Sequence, residues 1–190
     1  KTYLYNSKYQ RIRSVDALGN TTSYVYDDQC ACNAMKEMTN ARGGLTRYEY
    51  DDRQNLVVVY YPDSSIERFS YAVNGLLIRA TDKNGNIHRY EYDAYGNLIK
   101  VIYPKPSYLD NAPTVEYSFD ALGRRITAKD MNGNVTLFQY NGLNHVTKVT
   151  YADGRYLRIV YDNLGRLTKY IDEEGFERSF EYNSQDQLTA

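Results

Sequence analysis

The residues of this chain that could do chemistry are few: two histidines, two cysteines and a scatter of adjacent carboxylates. His88 and His145 are the residue type that serves as general base or metal ligand near neutral pH. They fall in different stretches of the chain, and neither has a Ser or Cys nucleophile in recognisable context, so neither a catalytic triad nor a histidine metal cluster is expected. Both are read as surface polar residues. Cys30 and Cys32 form a Cys-x-Cys pair and are the weak candidates for metal. A four-ligand zinc site needs two further donors and the chain has no other Cys, so His or carboxylates would have to be recruited. A local disulfide is the second option, and two free thiols on a widened turn are the default expectation.

Asp82-Lys83-Asn84-Gly85-Asn86 and Asp130-Met131-Asn132-Gly133-Asn134 resemble the start of a calcium loop. The Gly stands fourth instead of sixth and no Glu follows at the twelfth position, so turn chemistry is the expected reading. Asp27-Asp28, Asp51-Asp52 and Glu173-Glu174 also sit in turn-like segments and read as solvated charge. Asn20-Thr21-Thr22 and Asn134-Val135-Thr136 are formal glycosylation sequons. No catalytic residue and no cofactor is expected, and the chain is read as a non-enzyme.

The elements that would have to position any site are repetitive. An aromatic followed by Asp or Asn recurs at Tyr5-Asn6, Tyr26-Asp27, Tyr50-Asp51, Tyr92-Asp93, Phe119-Asp120, Tyr140-Asn141, Tyr161-Asp162 and Tyr182-Asn183, with Tyr71-Ala72 in the remaining slot. The successive steps are 21, 24, 21, 21, 27, 21, 21 and 21 residues. A fixed period of this length marks a stacked-repeat architecture in which each unit relies on its neighbours for burial. Each unit reads as two short β-prone runs separated by Asn/Gly or Asp/Gly turns, because Gly and Asn tolerate the positive φ of tight hairpins. Gly96, Gly123 and Gly165 hold the slot in the first turn. The second turn comes in two forms, one starting with Asp or Asn and one with Tyr, as in Tyr61-Pro62-Asp63, Tyr103-Pro104-Lys105 and Tyr151-Ala152-Asp153.

Within the strand that ends each unit, aromatics lie two residues apart, as at Tyr48 and Tyr50 or Phe138 and Tyr140, which puts them on one face of a sheet. The chain holds 22 Tyr, 5 Phe and no Trp, so the aromatic area comes from a side chain that keeps one end wet. One face is expected to be an aromatic ladder and the other to meet water. Nine units imply about 17 strands, more than an open twisted sheet of about 10 carries without curling. The expected fold is therefore all-β: antiparallel hairpin repeats of about 21 residues in a curled or spiral ribbon. The chain, 1–190, is expected to be a single array of about nine units, truncated at both ends, with open edge strands able to self-associate.

Charge excludes some partners. The 23 basic and 24 acidic residues leave no electrostatic footprint for nucleic acid, and no apolar run approaches the ~18 residues of a membrane span. Neither nucleic acid nor direct membrane insertion is expected. The longest insertion, around Pro104-Lys105-Pro106-Ser107-Tyr108, makes Tyr103 and Tyr108 candidates for ligand contact.

Phe119-Asp120-Ala121-Leu122-Gly123-Arg124-Arg125-Ile126, Tyr161-Asp162-Asn163-Leu164-Gly165-Arg166-Leu167-Thr168 and Tyr92-Asp93-Ala94-Tyr95-Gly96-Asn97-Leu98 closely resemble the Tyr-Asp repeat of the RHS family. The lead-in Arg89-Tyr90-Glu91 strengthens the match, and the register covers essentially the whole chain. The family includes bacterial polymorphic toxins, cocoon subunits of insecticidal toxin complexes and the animal teneurins. The resemblance implies a ribbon that spirals into a hollow shell, commonly around a C-terminal effector, in a large secreted or cell-surface protein, in this case a bacterial one. The partners it implies are the remainder of the parent shell and an enclosed effector domain. Nothing in the chain matches the family's self-cleaving segment, its plug or its toxin domain, so the chain reads as wall material. The alternative function is a cell-surface adhesion module binding carbohydrate or protein through exposed aromatics.

Overall fold

The computed structural model describes residues 1–27 and 34–189. These hold seventeen strands and no helix, so none is long and apolar enough to cross a membrane. The chain divides into two units, Lys1–Tyr90 and Glu91–Ala190. The first contains β1 (Thr2–Tyr5), β2 (Arg11–Val15), β3 (Thr21–Tyr26), β4 (Met35–Thr39), β5 (Leu45–Tyr50), β6 (Leu56–Tyr60), β7 (Ile66–Tyr71) and β8 (Leu77–Thr81). β9 (Ile87–Tyr92) pairs with β8 and contains the point of division. The second unit contains β10 (Leu98–Ile102), β11 (Thr114–Phe119), β12 (Arg125–Lys129), β13 (Val135–Tyr140), β14 (Val146–Thr150), β15 (Tyr156–Tyr161), β16 (Leu167–Ile171) and β17 (Glu177–Ser179).

Each unit is an antiparallel meander. Among the described residues, the strands in contact within a unit are those consecutive in the chain, so no second layer lies on either face. Burial is correspondingly thin. Val58, Val59 and Val101 are the buried apolar residues and Gln10 and Thr46 the buried polar ones. The accessible surface is 13153 Å², against roughly 9,300 Å² expected for a folded monomer of this mass. Domains ordinarily bury a sheet face against another layer; here the backbone ladder and cross-strand pairs carry the fold.

The register assigns the faces. Tyr24 lies opposite Met38, Tyr48 opposite Val59, Phe69 opposite Ala80, Tyr117 opposite Ala128 and Phe138 opposite Val149, a ring against a smaller side chain each time. At β15 and β16 the arrangement reverses, with Ile159 opposite Tyr170. The aromatic face is half-buried, while intervening residues such as Arg47, Glu49, Arg68 and Ser70 are exposed. On that wetter face charges pair across strands: Arg47 with Glu37 at 3.1 Å, Lys100 and Lys129 with Glu116 at 3.4 and 3.3 Å, and Lys169 with Glu177 at 2.8 Å.

The two hairpin edges differ. In the hairpins closed by the Tyr-Asp type of turn the register slips by one residue just before the motif aromatic, for example at Glu49/Tyr50 and Gln139/Tyr140. Hairpins on the other edge, such as β4–β5 and β14–β15, keep register. A bulge bends and over-twists its strand, so the bending device is confined to one edge of the ladder.

Candidate functional site

The Tyr-Asp turns are the recurrent feature of the molecule, and each is a five-residue unit. In Asp93–Asn97 the Asp93 N–H donates to the Asn97 carbonyl at 3.0 Å and the Gly96 N–H donates to the Asp93 carbonyl at 3.1 Å. The carboxylate is spent on the turn: Oδ1 accepts the N–H groups of Tyr95 and Asn97, both at 2.9 Å, and Oδ2 accepts the Asn97 amide at 2.9 Å. Asp51 is held in the same way by Arg53 and Asn55. Donation from the Asn55 side chain, then its backbone, holds the Asp51 carboxyl below the usual carboxylate range. Position four needs a left-handed residue, which is why Gly96 stands there at φ 87°.

The two turn forms differ in where the acid stands. In Asp82–Asn86 and Asp130–Asn134 it is first, as in the Tyr-Asp turns. In Tyr61–Ser65 and Tyr151–Arg155 it is third: Asp63 Oδ1 accepts the Ser65 N–H at 3.0 Å and Asp153 Oδ1 the Arg155 N–H at 3.0 Å. Ala72–Leu76 follows suit through Asn74. The calcium-like loops are thus turns whose carboxylates are engaged by their own backbone, and the amides of Asn20 and Asn134 donate to Asp16 and Asp130. Among the described residues no three His, Cys, Asp or Glu converge as a metal site.

The motif aromatics reach backwards. Tyr26, Tyr50, Tyr71 and Tyr140 donate their hydroxyls to the carbonyls of Arg11, Met35, Leu56 and Arg125 at 3.1, 3.0, 3.0 and 2.8 Å. Each acceptor opens a strand whose ladder to the next strand ends two residues further in, as at Arg13↔Ser23 and Thr127↔Leu137. The phenol supplies a donor where the ladder stops.

Position five reaches forwards. Arg124 donates through Nε to Asp120 at 2.7 Å and through a terminal nitrogen to the Asn141 carbonyl at 3.2 Å and Asn144 Oδ1 at 3.0 Å, its guanidinium 4.9 Å from the Tyr140 ring centroid. Arg166 does the same with Asp162, Asp186 and the Tyr182 ring, 4.8 Å away. Between them His145 occupies the same slot, its ring 4.7 Å from that of Tyr161 and packed onto Gly165. The expectation that His145 is a surface polar residue does not hold, since its Nδ1 is buried without a protein partner. The signal that could have found this set is the 21-residue spacing of Arg124, His145 and Arg166.

The remaining candidates are not gathered into one place. Tyr103 is half-buried, and its N–H donates to the Pro113 carbonyl at 2.9 Å, closing the long insertion. Tyr108 stands 84% exposed on that loop. Asp27 pairs with Lys36 at 3.1 Å. Cys30 and Cys32 lie outside the described residues.

The repeat geometry of strand, turn and phenolic cap has counterparts. A family model described as Teneurin YD-shell matches residues 1–110, more than half of the chain, and one described as RHS Repeat matches residues 119–156 and 161–190. The chain belongs to the RHS/YD-repeat family. The comparison with curated proteins returns no match. Among solved structures, this YD-repeat chain is similar to part of the Photorhabdus luminescens Tc holotoxin pore, with TM-score 0.76, 16% identity and coverage of 98% of this chain and 10% of that one. It is also similar to TcdB2–TccC3 without its hypervariable C-terminal region, with TM-score 0.69, 15% identity and coverage of 94% and 12%. The YD-repeat chain therefore has the fold of the matched portions of those structures and spans about a tenth of their length.

Proposed function

We propose that this YD-repeat chain is a non-enzymatic length of shell wall within a larger secreted or cell-surface protein, enclosing an effector domain behind its aromatic face. On this reading residues 1–190 are one array of about nine units. The observation that carries it is the missing layer: among the described residues, a half-buried aromatic face, three buried apolar side chains and contacts within each unit only between consecutive strands are complete as wall and incomplete as a globule. The turn carboxylates, engaged by their own backbone, support a structural role for the motif residues.

Face-specific labelling tests it. In the parent protein, with Cys30 and Cys32 replaced by Ser, a thiol introduced by Ala80→Cys on the aromatic face should react with a small maleimide but resist a polyethylene-glycol maleimide of several kilodaltons. A thiol introduced by Arg79→Cys on the opposite face should react with both. Equal reaction of the two positions with the large reagent would overturn the shell reading.

A second reading, adhesion, is favoured by Tyr108, whose ring stands 84% exposed on the closed insertion. It requires that Tyr108→Ala abolish binding to a surface glycan or protein without altering the melting temperature, and unchanged binding would remove it.

A further inference from the structure

Asn-Gly pairs stand in the chain at Asn74, Asn84, Asn132 and Asn141. In the first three the glycine serves the turn: Gly75, Gly85 and Gly133 take φ of 83°, 82° and 86°, and their N–H groups donate to the carbonyls of Ala72, Asp82 and Asp130 at 2.9, 3.0 and 3.0 Å. Gly142 serves nothing of the kind. It is second in its turn, a place held by Ala94 and Ala121 in other turns, its φ is not left-handed, and a Cβ there would meet nothing within 4 Å. Among the described residues its N–H has no acceptor.

Asn141 also differs from the other asparagines that head turns. Its Oδ1 accepts the N–H groups of Leu143 at 2.9 Å and His145 at 3.0 Å, and Oδ1 of Asn6 and of Asn183 each accept a matching pair. The amide nitrogens of Asn6 and Asn183 donate to Gln10 and Gln187 at 2.6 and 2.9 Å. With His145 in the glutamine position, the amide nitrogen of Asn141 has no partner among the described residues. Asn6, Asn40 and Asn183 are followed by Ser7, Ala41 and Ser184, each with a Cβ beside its peptide nitrogen.

From these contrasts we infer that Asn141-Gly142 is a self-modifying site, at which the folded chain deamidates spontaneously. Two N–H donors on one carbonyl oxygen are the arrangement that stabilises a tetrahedral oxyanion, and a following glycine leaves the approach to that carbonyl carbon unhindered. The Gly142 nitrogen gives its proton to solvent hydroxide and bonds to Asn141 Cγ. The Cγ–Nδ2 bond then breaks, and the amide nitrogen takes a proton from water and leaves as ammonia. Water opens the cyclic imide to an aspartyl residue in normal or iso linkage, so that one water is consumed for each ammonia released. The normal product supplies the acid that Asp93, Asp120 and Asp162 place in this slot, next to Arg124, whose terminal nitrogen already donates to the Asn141 carbonyl at 3.2 Å. The iso product lengthens the backbone by a methylene beside the register slip at Gln139/Tyr140.

Mass spectrometry of the full protein tests the site, after incubation in the folded state in mildly alkaline buffer and digestion in mild acid, with fragment ions that separate Asn132 from Asn141. Asn141 should lose its amide first, ahead of Asn74, Asn84 and Asn132. In urea sufficient to unfold the protein the four pairs should react at similar rates, which assigns the lead of Asn141 to the fold. Gly142→Ala should slow the loss at Asn141 tenfold or more and leave the melting temperature unchanged, as the Ala94 and Ala121 turns indicate. The inference is overturned if Asn141 reacts no faster than the other three in the folded protein, if its lead is as large in urea, or if Gly142→Ala leaves its rate unchanged.

Discussion

The hydroxyl of Tyr140 donates at 2.8 Å to the carbonyl of Arg125, fifteen residues earlier and at the open end of the same hairpin, where β12 begins beside the end of β13. Tyr26, Tyr50 and Tyr71 make the same bond. At these four positions the motif aromatic is therefore a hydrogen-bond donor as well as a ring, a role that Phe119 in the same slot does not fill.

Tyr71→Phe should lower stability by about 1 kcal/mol, the usual net worth of one such bond, in a urea denaturation series with unchanged slope. Phe119→Tyr should do nothing or stabilise. A Tyr71→Phe variant with full stability would mean that water replaces the phenol without loss.

The turn acids set a pH dependence. Asp51 and Asp93 both titrate below their ordinary value of 3.8, chiefly because the side chains of Asn55 and Asn97 donate to them. A depressed folded-state pKa gives stability that is present above the unfolded value and lost as pH falls through the folded one. Melting temperature should thus be level from about pH 5 to about pH 10 and fall below pH 3.8. Asn already fills this slot at Asn6, Asn40, Asn141 and Asn183, so Asp51→Asn should fold normally and show a shallower acid loss. Asp51→Ala should fold less stably at neutral pH.

Tyr61 governs the alkaline side. Burial and then its hydrogen bond to Glu67 push the phenol up to about 12, and the Lys83 ammonium lies 3.2 Å from its ring centroid. A raised folded-state pKa gives stability that is full below the unfolded value of 10.0 and lost as pH rises to about 12. Stability measured between those limits should decline, and Tyr61→Phe should decline less.

Position four separates backbone from packing effects. Tyr9, Gln54, Ser64, Asn144 and Asp186 hold positive φ there without being glycine. A left-handed residue with a Cβ costs roughly 1–2 kcal/mol, partly offset in glycine by about 0.5–1 kcal/mol of lost chain freedom. Tyr9→Gly, at an exposed side chain, should raise the melting temperature.

The reverse change has two grades. Gly19→Ala meets open space and bears only the φ penalty, whereas Gly165→Ala places a methyl 2.7 Å from the His145 ring. The second should be the more damaging, and His145→Ala should recover the difference in a double-mutant cycle but not the part shared with Gly19→Ala.

Strands and turns were legible because their determinants are local. Gly85 or Gly96 at a fixed offset from Asp82 or Asp93 marks a hairpin wherever it occurs. What escaped depends on register. Nothing in Glu49-Tyr50 announces that the ladder slips there, and the bond from Tyr50 to Met35 follows only once the slip is known. The Tyr-start turns stood out in the sequence, yet their meaning, an acid moved from first to third place at Asp63 and Asp153, needed the backbone donors to be located. His145 escaped because a polar residue in a turn is ordinarily solvated, and its burial comes from Tyr161 and Gly165, one repeat later.

Because, among the described residues, strands within a unit touch only their sequence neighbours, copy number is a free variable. Duplicating or deleting 21 residues changes the extent of the ladder by one hairpin and leaves every remaining contact as it was. A gene built this way can adjust how much sheet it encodes by unequal recombination alone, without a compensating change elsewhere in the protein.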